Sequence, residues 1–225
     1  MTRYLSALFA SVILAVAFHP APAPAQSRYV APEGCRLIAT LRAPSCMVRQ
    51  VSSCPAGNVT DDFFEGRFIG RAYYSHPSMF LRYERADGMV AGHNYGPGTP
   101  ERDAKLFPGE TYTYERTVYR SEGETEPGDA GTEVLKVGKR AIITIGDRNY
   151  PVVDLLFEVT ADGYLYKERA MLLQDPEVTL GVTSTRYDAD GEVAETFSTI
   201  PEAISLKGDP DLGFFEPAPS CAPAS

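Results

Sequence analysis

The chain has 225 residues, 44% hydrophobic, 11% aromatic and 23% charged, with a formal charge of -9 at neutral pH. These globular proportions exclude a collagen-like repeat, a disordered tail and a multi-span membrane protein. Such acidity argues against a nucleic-acid partner, because phosphate binding draws on a surplus of positive charge.

Met1 to Ala25 has the layout of a signal peptide: Arg3, an apolar run from Leu5 to Phe18, and Ala23-Pro24-Ala25 before Gln26. About 14 apolar residues reach roughly 21 Å as a helix, short of the roughly 30 Å hydrocarbon core, so cleavage is expected in place of anchoring. No later apolar run is long enough to span a bilayer. Residues 26-225 read as a single antiparallel β domain with a Pro-rich C-terminal tail, Pro217 to Pro223, destined for the periplasm or secretion.

All four cysteines lie in the exported part, and an even count in an oxidising compartment predicts two disulfides. Cys35 to Leu41 alternates, a turn falls at Arg42 to Ser45, and a second extended run covers Cys46 to Cys54. Folded as a hairpin, Cys35 faces Ser52, one same-face step from Cys54. Cys46 and Cys54 stand roughly 26 Å apart along one strand, beyond bridging distance. The pairs predicted are Cys35 with Cys54 and Cys46 with Cys221.

Downstream, short alternating segments separated by Gly, Asp, Asn and Pro predict an all-β meander of around a dozen strands, closed as a barrel, packed as a sandwich or strongly curled. Phe64, Gly66, Phe68, Gly70, Ala72 and Tyr74 read as the apolar face of one strand. Three Ala-Asp-Gly turns, beginning at Ala86, Ala161 and Ala189, mark hairpins. Strands are expected near 111–119, 132–137, 141–145, 151–160, 164–173, 179–187 and 192–200, with a helical turn over Pro201 to Leu206. Gly96 to Glu110 is a long loop fit for a lid or a surface excursion, and Ser121 to Gly131 an acidic hairpin tip.

No nucleophile elbow, phosphate loop, zinc helix or dinucleotide fingerprint occurs, and neither metal nor cofactor is expected. Gln26 to Arg120 holds twelve Lys+Arg against ten Asp+Glu, eleven of the twelve being Arg, whereas Ser121 onward holds eight against twenty. If Ser75 to Ser78 is a four-residue loop, Arg71 faces Arg82, and the next turn brings Arg82 opposite His93. That row of Arg71, Arg82 and His93 is a candidate anion site, two guanidinium forks and an imidazole, unless Glu84 neutralises it as a surface feature. His76 reads as an exposed turn residue, with a catalytic role the weaker alternative.

The expected function is a non-catalytic, exported or envelope-associated β domain that binds a small apolar or anionic ligand. The pattern resembles that of envelope proteins which curl a sheet around apolar ligands, with no motif to carry over. The alternatives are a secreted hydrolase using carboxylates or the turn histidine, and a structural or assembly component.

Overall fold

In the computed structural model, residues 28–76, 78–101, 104–120, 130–161, 164–188 and 190–221 are described. The segment expected to be a signal peptide and the acidic stretch 121–129 lie outside them, as does most of the second Ala-Asp-Gly turn. The strands are β1 (Arg36–Arg42), β2 (Met47–Cys54), β3 (Gly57–Phe64), β4 (Arg67–His76), β5 (Met79–Arg85), β6 (Val90–Tyr95), β7 (Thr111–Arg120), β8 (Ala130–Ile145), β9 (Arg148–Ala161), β10 (Tyr164–Gln174), β11 (Glu177–Tyr187), β12 (Val193–Ser198) and β13 (Ala203–Leu206).

All thirteen form one antiparallel sheet, in chain order from β1 to β12, with β13 added beside β1. β12 and β13 do not pair with each other, so hydrogen bonding does not close the sheet into a barrel. Such a long meander follows from short turns, which leave each strand no neighbour nearer than the next. β12 is an edge whose every residue is exposed, and Glu195 with the preceding Glu192 puts charge along it.

Four sequence expectations are corrected. The Phe64 to Tyr74 alternation is broken by a tight turn at Glu65-Gly66, both at positive φ (49° and 74°), so it belongs to two strands. A register irregularity between Asp62 and Phe63 then puts Phe68 opposite Phe63 and leaves Ala72 opposite Thr60. The segments 132–137 and 141–145 are one strand, β8, carrying an irregularity between Val137 and Arg140. Pro201 to Leu206 is not helical: Ala203–Leu206 is β13, too short to show a period, and it pairs with β1 from Ala39↔Leu206 to Arg42↔Ala203.

Two apolar clusters hold the sheet. One joins Ile38, Leu41 and Ile204 of β1 and β13 to Tyr150, Val152, Leu173 and Leu180 of β9 to β11, residues far apart in the strand order. The other centres on Leu135, Val153, Leu155 and Leu172 and takes in Met79, Leu106 and Tyr114. Each fully buried Leu or Val contributes roughly 1.5–3 kcal/mol. Leu106 belongs to the long loop, which is therefore packed into the core and not a free surface excursion: Ala104 O accepts from His76 Nε2 at 3.0 Å, and Gln174 Nε2 donates to Leu106 O at 3.4 Å.

The opposite face of β1 to β3 lies under Tyr29 and the segment from Gly213 to Glu216. Gln50 Nε2 donates to Phe214 O (3.0 Å), Gly213 N to Thr40 Oγ1 (2.9 Å), and Arg42 Nε to Glu216 O (2.9 Å). Tyr29 donates its hydroxyl to Asp61 Oδ2 at 2.6 Å, and Phe63 packs on Phe215 with ring centroids 4.7 Å apart. The described part of the tail has no ladder of its own here, and buried Thr40, Arg42 and Gln50 bond to its backbone instead.

Two disulfides pin this arrangement, Cys35–Cys54 with Cα atoms 4.2 Å apart and Cys46–Cys221 with Cα atoms 5.4 Å apart. They close separations of 19 and 175 residues. Chain entropy therefore predicts a loss of roughly 5 kcal/mol for Cys46→Ala/Cys221→Ala against roughly 3 kcal/mol for Cys35→Ala/Cys54→Ala, measured by urea unfolding. The reverse order would show that the tail cross-link adds little beyond the polar contacts beneath it.

Candidate functional site

A cavity of about 180 Å³ lies on the core side of the sheet, with lining residues drawn from β1 through β11. Apolar walls come from Val51, Phe80, Phe157 and Val182, and polar ones from His93, Tyr95, Arg116, Glu133 and Glu168. Register explains the convergence of the polar group. Tyr95 pairs with Arg116 across β6 and β7, Tyr114 with Glu133 across β7 and β8, and Glu168 with Phe157 across β9 and β10.

Glu133 is only 5% exposed. Its Oε1 accepts from the Tyr114 hydroxyl at 2.9 Å, and Arg116 Nη1 stands 3.3 Å from Oε2, which accepts no hydrogen bond. Burial raises its pKa above the ordinary carboxylate range, against the opposing pull of Arg116 and the Tyr114 hydroxyl, and the charge on Glu168 adds to the rise. Glu168 accepts from Ser184 Oγ at 3.1 Å. Burial, with the nearby Glu133 charge, likewise raises Tyr95 and Tyr114, so both stay protonated donors at neutral pH.

Tyr95 gives its hydroxyl proton to Phe80 O at 2.7 Å. His93 Nδ1, 3.1 Å from the same hydroxyl, is then the donor to it, a tautomer assigned from the network. The imidazole packs edge-on against Phe80 and Tyr95, at centroid distances of 5.2 and 5.8 Å. Burial, then the Arg116 charge, lowers its pKa to about 4.

The predicted row of Arg71, Arg82 and His93 does not form. The β4–β5 hairpin pairs His76 with Met79, and irregularities on either side of Tyr74 place Arg71 opposite Glu84 and Tyr73 opposite Arg82. Between β5 and β6 the loop has three residues, 86–88, with Gly88 at φ 91° and Arg85 N donating to Met89 O. Arg82 therefore pairs with Gly92, and the one-residue step turns His93 to the opposite face. Arg71 is committed to Asp61 through both Nε and Nη2, the latter at 2.8 Å. Arg82 lies over the Tyr73 ring at 4.2 Å and pairs with Glu84 at 3.0 Å.

His76 is also corrected: it is 1% exposed, not a turn-tip residue. Its Nε2 donates to Ala104 O, which leaves Nδ1 to accept from Ser78 Oγ at 2.7 Å, and Ser78 lines the cavity. The cavity groups missed by sequence reasoning are Glu133, Glu168 and Arg116, with Tyr114 behind Glu133; Tyr95, which the sequence suggested beside the arginine row, lines this cavity instead. A signal existed: Glu133-x-Leu135-x-Val137 and Glu168-x-Ala170-x-Leu172 each put a carboxylate in step with buried apolar positions. Among the described residues, no three His, Cys, Asp or Glu side chains group as a metal site.

Between about pH 6.5 and the His93 value of about 4, the unfolded chain binds a proton that the folded chain refuses. That contribution to stability is complete above the window and is lost as pH falls through it. On going from about pH 7 to about pH 4.5, the wild type should lose roughly 2 kcal/mol more urea stability than His93→Phe, which cannot titrate. Equal losses would contradict a neutral, buried His93.

No family model, curated protein or solved structure matches this chain.

Proposed function

We propose that this is an exported, non-catalytic binding protein whose curled sheet holds one small amphipathic molecule. The observation that carries the reading is the mixed lining of the cavity, aromatic and aliphatic on one side and a buried Tyr–Arg–Glu cluster on the other. About 180 Å³ accepts a substituted ring or a short chain, since roughly 150 Å³ holds benzene, and it is too small for most drug-sized ligands. An acyl lipid is therefore a poor fit. The two lining arginines, Arg49 and Arg116, are already paired with Asp62 (3.1 Å) and Glu133 (3.3 Å), which disfavours an anion. Among the described residues Glu168 has a hydroxyl partner and no cation within ion-pairing distance, so the favoured ligand presents a hydroxyl or amine to it. Export is supported by the two disulfides and by the leader-like segment at residues 1–25.

A second reading, a hydrolase, rests on Ser78 Oγ meeting His76 Nδ1 at the cavity wall while a backbone carbonyl orients the ring. It accounts for one lining residue, Ser78, whereas binding draws on the mixed lining as a whole.

Binding predicts that small phenols and aromatic amines raise the thermal midpoint, by an amount set by concentration over Kd. Glu168→Gln and the cavity-filling Ala170→Leu should abolish that rise, and Ser78→Ala should leave it. No response to any member of the class would overturn the proposal. Turnover of a small ester that disappears in Ser78→Ala would favour the hydrolase.

A further inference from the structure

β4 and β5 stay paired as far as His76↔Met79, and β6 stays paired with β7 as far as Tyr95↔Arg116. Between β5 and β6 the ladder has only three rungs, Arg82↔Gly92, Tyr83↔Ala91 and Glu84↔Val90. Beyond Arg82 the two strands part, and no ladder joins Met79, Phe80 and Leu81 to His93, Asn94 and Tyr95. The split is bridged by side chains: the Tyr95 hydroxyl donates to Phe80 O, and the Phe80 ring meets His93 edge to face.

A second cavity, of about 360 Å³, opens at this place and is lined by Tyr73, Leu81, Arg82, Asn94 and Tyr119. It shares three lining residues with the core-side cavity, Asn58, Tyr74 and His93. Gly92 keeps its mouth in shape, because a β-carbon there would collide with the Tyr119 ring and Leu81 O. Within the described part of the 96–110 loop, Leu106 is packed into the second apolar cluster.

We infer that small molecules reach the core-side cavity through the wall of the sheet, by the split between β5 and β6, with Phe80 and His93 as the gate and the outer groove as its vestibule. The inference rests on the binding reading for its purpose and on strand pairing for its geometry. One hydrogen bond and one ring contact stand where ladder rungs would otherwise be, so the split opens locally at far less cost than the flanking ladders.

The test is alkylation of Ala170→Cys, a small substitution on the inner cavity wall, by iodoacetamide in the disulfide-intact protein. Phe80→Ala should raise the labelling rate by about tenfold, and Asn94→Trp, which fills the vestibule, should lower it by about tenfold. Val152→Ala destabilises the other core and should fall well short of the Phe80→Ala effect. Labelling indifferent to Phe80→Ala and Asn94→Trp, labelling absent even in Phe80→Ala, or equal acceleration by Val152→Ala would overturn the gate. So would acceleration by Asn58→Ala alone, since Asn58 Nδ2 donates to Glu177 O at a rival seam. Gate-dependent labelling without ligand response would instead refute only the binding reading, and ligand response without gate dependence only the route.

Discussion

The parity of strand register governs this molecule. In a two-sided sheet, adjacent residues point to opposite faces, so a single-residue step in pairing exchanges core for surface. Here that step occurs at the three-residue loop between β5 and β6, and it sends Arg82 outward and His93 inward. Irregularities at Asp62/Phe63 and around Tyr74 redirect other side chains in the same way. The result is a face covered by Tyr29 and the 213–216 segment and a face that encloses polar groups among apolar walls.

Those enclosed groups shape the chemistry. A carboxylate as buried as Glu133 is costly to ionise, and Tyr114 with Arg116 offsets part of the cost, leaving one oxygen short of a donor. His93 is held neutral beside the same arginine. Such a cluster adds less to stability than a well-packed apolar substitute would, and the proposed binding role rests on its placement against a cavity.

Much of the architecture was legible in the residues. The strands expected near 111–119, 151–160, 164–173 and 179–187 lie close to β7, β9, β10 and β11, and the hairpin around Cys35 and Cys54 leads to the disulfide pairs that the structure contains. The Phe64 to Tyr74 stretch was not, because its alternation runs on across the Glu65-Gly66 turn as if one strand continued. The site was misplaced for a related reason. Arg71, Arg82 and His93 could be aligned only by assuming loops with an even number of residues, and sequence alone does not reveal the three-residue loop or the irregularities. Glu133 and Glu168 read as ordinary strand charges even though each keeps step with apolar positions on its own strand, and their partners across the sheet are what show that they meet at one cavity.

The most direct test of this account is an experimental electron-density map of the protein at the space between Phe157, Glu168 and Glu133. Ordered density there, whether a bound molecule or waters donating to Glu168 and Glu133 Oε2, is the predicted result. A collapsed interior, with Phe80, Phe157 and Val182 in mutual contact and Glu133 turned to another donor, would contradict it.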